Sequence, residues 1–396
     1  MPRFTDATTD EAPPTGPGHP RTRPQALSGS SKTGEGWTSI ESSEAGRGGS
    51  KAGRRGRAAT TATVTVTLPG AKTGAVHAAV LGWYRRQGRD LPWRRTRDPY
   101  AILVAEAMLQ QTQVDRVRPK WEAFLAAFPT LRALADAPRA DVIRAWAGLG
   151  YNRRAVALHE IAQTVTGSGA ETLPASVEAL RALPGIGPYT AGAIACFAFG
   201  LPEPVLDTNV RRVLDRIYAI EASPGVPADR HGWAMARAAL PPDADVYDWN
   251  QALMDLGATI CVARAPRCGA CPVHESCAAV ASVEMSPTMT GLAPLPGLEG
   301  LARVAESRPA YRPAPPRRVA ERFEGSRRWF RGRAVAALRG LPQGASITVD
   351  SLGPLVDPDY EASSRRTWLL ELLGDLARDG LVVVIGEGEA SVARLA

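Results

Sequence analysis

SVEALRALPGIGPYTAGA, residues 176–193, decides how the middle of the chain is read. SVEALRAL predicts one helix, and a second opens through Thr190 and Ala191 after the break LPGIG. Between them Pro184, Gly185 and Gly187 predict a tight turn that exposes several backbone N–H groups at a helix N-terminus, a geometry suited to phosphate. An ordinary hairpin between two helices would need the same glycines, so the turn alone leaves its use open.

Outward from this hairpin the signal stays helical from residue 75 to about 260. Apolar residues recur at helical spacing in AVHAAVLGWYRRQ, YAILVAEAMLQQ, ADVIRAWAGLG and RRAVALHEIAQTV, and alternating strand patterns are absent. Turns carrying Gly and Pro (RDLPW, FPT, GLGYN) separate them. The expectation is an all-α domain of about ten helices over 75–260, followed by a cysteine loop over 261–284. Residues 1–74, rich in Gly, Ser, Thr, Pro and Arg, read as a disordered basic arm, either a loose DNA attractor or a passive tail. Residues 285–325 (GLAPLPGLEG, RPAYRPAPPRR) read as a linker. In residues 326–396, WFRGRAVAALRGL and RRTWLLELLGDLARDG suit two helices, and GLVVVIG with ASVARLA a short hairpin. That order predicts a small winged-helix-like unit, with a dimerising or structural cap as the alternative.

At 396 residues the chain has length for two to three domains and a real core. The net charge of +7 and a pI near 9.4 favour a polyanionic partner, nucleic acid before membrane. The start MPRFTDATTDEAPP has no apolar h-region, and no run approaches a membrane span, so a soluble protein of the cytoplasm, near the nucleoid, is expected. Of five cysteines, Cys261, Cys268, Cys271 and Cys277 crowd together, while Cys196 lies in the apolar run AIACFAFG and is expected to pack in a core. Such a cluster in an otherwise Cys-free chain reads as metal ligation in a reducing compartment. The spacing of six, two and five residues contains one C-x-x-C pair, where zinc knuckles commonly bring two. This favours a [4Fe–4S] cluster, with structural zinc as the competitor.

Two acids stand out. Glu106 is the only ionisable residue in the apolar run AILVAEAML, and no Lys or Arg occurs between Arg97 and Arg116 to pair with it along a helix. An acid in apolar surroundings holds its proton towards neutral pH; the plain alternative is an exposed or backbone-bonded side chain. Asp207, in VLDTNVRRVLDRIYA (residues 205–219), stands just before a helix whose apolar side is Val210, Val213, Leu214 and Ile217. It reads first as an N-cap, a role that would also fix the carboxylate and keep it ionised.

The order of these motifs, namely AEAMLQQTQV, GLGYN, LPGIGPYTAG, LDTNV and the four-cysteine loop, resembles the helix–hairpin–helix DNA glycosylases over residues 77–280. The pattern is similar to the MutY-type adenine DNA glycosylases in particular. The resemblance implies a base-excision-repair enzyme, monomeric in action, that flips adenine out of double-stranded DNA containing A:8-oxoguanine or A:G mispairs. It implies catalytic roles for Glu106 as proton donor and Asp207 as stabiliser of a cationic sugar, with Tyr189 and Asn209 as helpers. Cys261, Cys268, Cys271 and Cys277 would hold the [4Fe–4S] cluster, and Gln111, Thr112, Tyr151, Gly185 and Gly187 would contact DNA.

Two rivals belong to other classes. An endonuclease III-like pyrimidine glycosylase would need a lysine where Tyr189 stands, and Lys120 is the sole lysine of 75–396, far from the hairpin in sequence. A non-catalytic iron–sulfur DNA-binding regulator would not need both Glu106 and Asp207. One departure from the MutY pattern is the C-terminus. Residues 326–396 are too short and too helical for the MutT-like domain with which many such enzymes read 8-oxoguanine.

Overall fold

The computed structural model describes residues 64–284 and 323–396. Expectations for residues 1–63, and for most of the 285–325 linker, lie outside the described residues. The helices are α1 (Gly70–Gln87), α2 (Pro99–Leu109), α3 (Val114–Ala127), α4 (Leu131–Asp136), α5 (Arg139–Ala145), α6 (Arg153–Gly167), α7 (Val177–Arg181) and α8 (Pro188–Phe197). They continue as α9 (Thr208–Tyr218), α10 (Ala228–Ala238), α11 (Val246–Thr259) and α12 (Ala278–Glu284), then α13 (Arg327–Arg339), α14 (Val349–Val356) and α15 (Ala362–Arg378). The strands are β1 (Ile347–Thr348), β2 (Val382–Ile385) and β3 (Val392–Leu395). Among the described residues no helix is long and apolar enough to cross a membrane.

Two cores carry the helical region. The first gathers α2, α3, α6 and α8 around Leu103, Met108, Phe124, Trp146 and Ile194. The second gathers α1, α9, α10 and α11 around Val80, Val213, Met235, Trp249 and Leu256. α2 is buried from Tyr100 through Met108, as befits a helix apolar on every side. Its start is fixed by Pro99 at the first turn and by Asp98, whose side chain accepts from Tyr100 N at 2.9 Å. Asp207, at the head of α9 in the second core, faces Glu106 of α2 in the first, so the acids meet where the cores join.

The C-terminal unit has the helix and strand order of a winged helix, with an antiparallel sheet ordered β1-β3-β2 in which Thr348 pairs with Val392 and Val384 with Ala393. Its core of Val335, Leu338, Leu352, Leu369 and Leu373 also takes in Ile143 of α5 and Val156 of α6. Arg339 donates to Asn152 at 2.8 Å and Arg153 pairs with Asp379 at 3.3 Å across the same seam.

Two expectations shift. The unit holds three helices and a third strand, where two helices and a hairpin were predicted. α14 is only eight residues long and carries Gly353 and Pro354, so its helical signal is weak; Thr348 caps it by accepting from Ser351 N at 3.2 Å. At the other end, α1 begins at Gly70, inside the stretch assigned to the arm, and Val66 and Leu68 pack against the second core. The glycines of GAKTGAV hid that helix start.

Candidate active site

Glu106 lies 5% exposed on α2, and its Oε2 has no hydrogen-bond partner. Burial pushes its carboxyl up to about 7, helped by the negative charge of Asp207; a hydrogen bond with Tyr189 and the charge of Arg94 pull the other way without prevailing. The acid therefore exchanges its proton near neutral pH. The predicted missing counter-charge holds along the helix, but Arg94 acts from the loop that follows α1.

Asp207 is the N-cap of α9: one oxygen accepts from Val210 N at 2.7 Å and the other from Asn209 Nδ2 at 2.8 Å. The segment leading to it is braced by Asn250, which accepts from Val205 N at 3.1 Å and donates to Glu203 O at 2.9 Å. Asn209 in turn accepts from Arg212 at 2.9 Å, and the same guanidinium donates to Gly257 O at 2.7 Å and Cys261 O at 2.8 Å. A continuous chain of hydrogen bonds thus joins the first cysteine of the loop to the Asp207 carboxylate.

Tyr189 sits on the first turn of α8, directly after the glycine hairpin. Burial and the charges of Glu106 and Asp207 hold its phenol well above the usual range, so it stays a neutral hydrogen-bond donor. Gly185 has φ +75°, a backbone state that favours glycine. Gly187 differs: it caps α8 with φ −87°, and a Cβ there would meet nothing within 4 Å. Nothing inside the described fold demands glycine at 187, which leaves an open approach to the helix N-terminus.

Gln111 and Tyr151 lie in the loops after α2 and before α6, both exposed and both left-handed, with φ 56° and 45°. Non-glycine residues seldom hold that state unless neighbours impose it. Here Arg154 does so. Its guanidinium donates to the carbonyls of Ala107, Met108 and Gln110, the hydroxyl of Thr112, and the carbonyls of Leu149 and Gly150, at 2.6–3.2 Å. It also sits over the Tyr151 ring at 5.5 Å. Gln111, Thr112 and Tyr151 are thereby held together, and Gly185 lines an adjoining cavity of about 790 Å³ with Arg154.

Cys261, Cys268, Cys271 and Cys277 are free thiols, each half-buried. Burial, with the other three thiols nearby, pushes Cys271 up to about 11. Arg216 donates to the Cys261 sulfur at 3.3 Å and to Val262 O at 2.9 Å, and Cys277 donates to Arg216 O at 3.3 Å. Among the described residues no three His, Cys, Asp or Glu side chains converge closely enough to hold a single metal ion. Cys196 is buried in the first core, where Asn250 donates to its sulfur at 3.3 Å.

Sequence reasoning missed Arg94, Arg154, Arg212 and Asp255. Asp255, 1% exposed on α11, accepts from Arg89 and Arg94 at 2.7–2.9 Å. Burial pushes it up, yet the two guanidiniums outweigh burial and hold it below the carboxylate range. No local pattern marks these residues, because each has partners that lie far away in the chain.

The model of the HhH-GPD superfamily base excision DNA repair proteins matches residues 104–231. The adenine DNA glycosylase of Mycolicibacterium smegmatis is 39% identical over 313 residues, covering 78% of this chain and 96% of that protein. The human adenine DNA glycosylase is 42% identical over 224 residues, covering 54% of this chain and 41% of its own. Among solved structures, a thermostable thymine-DNA glycosylase superposes with a TM-score of 0.51 at 29% identity, covering 54% of this chain and 98% of that one. Its match with the mycobacterial enzyme along nearly the whole of that protein, together with the HhH-GPD match, means that the chain belongs to the adenine DNA glycosylases of the HhH-GPD superfamily.

Proposed function

We propose that the chain removes adenine facing 8-oxoguanine, and more weakly adenine facing guanine, by hydrolysis without cutting the strand. Removal of adenine in base excision repair is the activity of the family to which it belongs. The observation that carries the mechanism is Glu106: buried, bonded to a neutral tyrosine, and titrating near neutrality beside an aspartate fixed by a helix cap. Adenine leaves readily only when a ring nitrogen is protonated, and an acid with this pKa both holds and gives up a proton near pH 7. As the glycosidic bond breaks, positive charge grows on the sugar; the Asp207 carboxylate stabilises it, and water then adds at the anomeric carbon. Asn209 holds the carboxylate, and Tyr189 orients the Glu106 carboxyl.

Gln111, Thr112 and Tyr151 would fill the gap left in the duplex, and the Gly185–Gly187 turn would grip a backbone phosphate. Strained, exposed backbone at Gln111 and Tyr151 supports that reading. Cys261, Cys268, Cys271 and Cys277 would hold a [4Fe–4S] cluster. Four half-buried thiols in electrostatic reach of one another support that reading. When bound, the cluster would order the loop that carries exposed Arg264 and Arg267 towards phosphate. The described lysines favour hydrolysis without strand cutting. Neither Lys72 nor Lys120 is among the groups that bear on Glu106, and Lys72 donates to Ile217 O at 2.7 Å.

Base release from duplexes carrying A:8-oxoguanine, A:G, A:T, T:G and thymine glycol tests the reading, with strand scission scored in parallel. Adenine should leave fastest opposite 8-oxoguanine, with the abasic strand intact. Preference for A:T, T:G or thymine glycol, or a cut strand, would overturn it. No release from any duplex by protein with its cluster intact would favour the regulator.

A further inference from the structure

Asp255 of α11 gathers two guanidiniums on one carboxylate. Its Oδ1 accepts from Arg89 Nε and Arg94 Nη2, both at 2.7 Å, and its Oδ2 from Arg89 N and Arg94 Nη1, both at 2.9 Å. Two cations thus share one anion, and they are unequally placed: the Arg89 side chain is 32% exposed, the Arg94 side chain 8%. Arg89 takes part of its solvation from water, whereas Arg94 depends on protein partners. Those are Asp255, the Arg89 carbonyl at 2.9 Å, and the face of Tyr84, whose ring centre lies 5.7 Å from the guanidinium carbon. The Arg94 Nε is buried and donates to nothing.

Among the described residues Arg94 is also the cation whose charge bears on Glu106. The other groups that do so are Tyr189 of α8 and Asp207 at the head of α9; α3 and α6, which also pack on α2, contribute none. Asp207 has both oxygens engaged, by Val210 N and Asn209 Nδ2, whereas Glu106 Oε2 has no partner. A buried guanidinium with an idle N–H and a buried carboxyl with an idle oxygen are therefore in electrostatic reach of each other. Joined, they would form an ion pair, and a carboxylate so paired stays ionised well below neutrality and has no proton to give. What stands against that pairing is the grip of Asp255. A planar guanidinium bound through both Nη atoms cannot turn to a second acid without leaving the first.

We propose that Asp255 is a positioning residue for the Glu106 acid: by clamping Arg94 through both carboxylate oxygens, it withholds that guanidinium from Glu106 and so leaves the acid its proton. The proposal rests on the reading of Glu106 as proton donor to adenine, and it adds a residue that acts on the chemistry only through Arg94. Loss of the Asp255 charge frees a buried cation, and Glu106 is the acid with an oxygen to receive it.

Asp255→Asn keeps the shape of the side chain and removes its charge. Single-turnover adenine release by the full chain is followed from about pH 5 to 9, where the rate falls as the acid ionises. In Asp255→Asn that falling limb should move to lower pH by about 1–3 units, the displacement a carboxyl undergoes beside a guanidinium. Release at alkaline pH then drops about tenfold or more, while release at the acid end stays within about threefold of wild type. Adding Arg94→Gln to Asp255→Asn removes the freed cation, so the limb should return to the wild-type position or above it. A limb that stays in place in Asp255→Asn, with the rate lowered equally at every pH, marks a purely structural part and overturns the proposal. A displacement that persists in the double variant overturns it as well. Should Asp255→Asn fail to fold, Arg94→Gln alone decides: the limb should move to higher pH, and one that is unmoved or moves lower sinks the clamp. Difference infrared titration of the Glu106 carboxyl, taken against Glu106→Gln, reads the same displacement without turnover. If the unaltered chain releases no adenine while that titration moves as stated, only the excision reading falls; release with an unmoved titration sinks only the clamp.

Discussion

Two carboxylic acids lie deep in this molecule, and they behave in opposite ways. Glu106 is 5% exposed and Asp255 1% exposed, so burial penalises the charge of both. Asp255 meets two guanidiniums in bidentate fashion and stays ionised below its ordinary range. Glu106 meets a phenol and the negative charge of Asp207, its Oε2 has no hydrogen-bond partner, and its carboxyl rises to about 7. Burial sets the size of the penalty, and the partners decide which protonation state survives it. One acid joins α1 and its loop to α11; the other is left able to give up a proton.

The contrast can be broken most sharply by activity. Glu106→Gln should lower single-turnover adenine release by about 10³-fold, and Asp207→Asn by a similar factor, with DNA binding retained. A loss below tenfold in either variant would remove that residue from the chemistry. Next in size, Asp255→Ala should destabilise the fold by roughly 3–5 kcal/mol in denaturant unfolding, because Arg89 and Arg94 would be left without their anion.

The pH dependence of stability separates the two acids by sign. Between about pH 4.5 and 7 the folded protein keeps the Glu106 proton that the unfolded chain has released, so Glu106 removes stability as pH rises, by roughly 3 kcal/mol across that interval. Glu106→Gln should flatten that decline and leave an inactive protein more stable than wild type at pH 8. Asp255 works the other way: its contribution is present above the ordinary carboxylate range and is lost as pH falls below it. Unfolding curves at a series of pH values check both. The smallest effect expected is that of Tyr189→Phe. It removes a hydrogen bond that favours ionised Glu106, so the alkaline limb of the rate profile should move to higher pH. A shift to lower pH would reverse the role given to Tyr189.

Much of this arrangement was legible in the sequence, for identifiable reasons. The apolar frame of Glu106, the capping position of Asp207 and the glycine hairpin are local patterns, and local patterns survive into the fold. Tyr189 and Asn209 were reached only through family resemblance, since nothing around either marks it. The triad of Arg89, Arg94 and Asp255 spans more than 160 residues and has no local trace. The same is true of Arg212, which reads as one more basic residue on an amphipathic helix until Cys261 is folded against it. α14 escaped because a short helix with an internal proline has almost no periodicity to detect.

The seven acceptors gathered by Arg154, Tyr151 O among them, carry a mechanical consequence. The loops after α2 and before α6 are riveted through a single cation, so Gln111 and Tyr151 are tied to one another. Slackening either loop will slacken its companion.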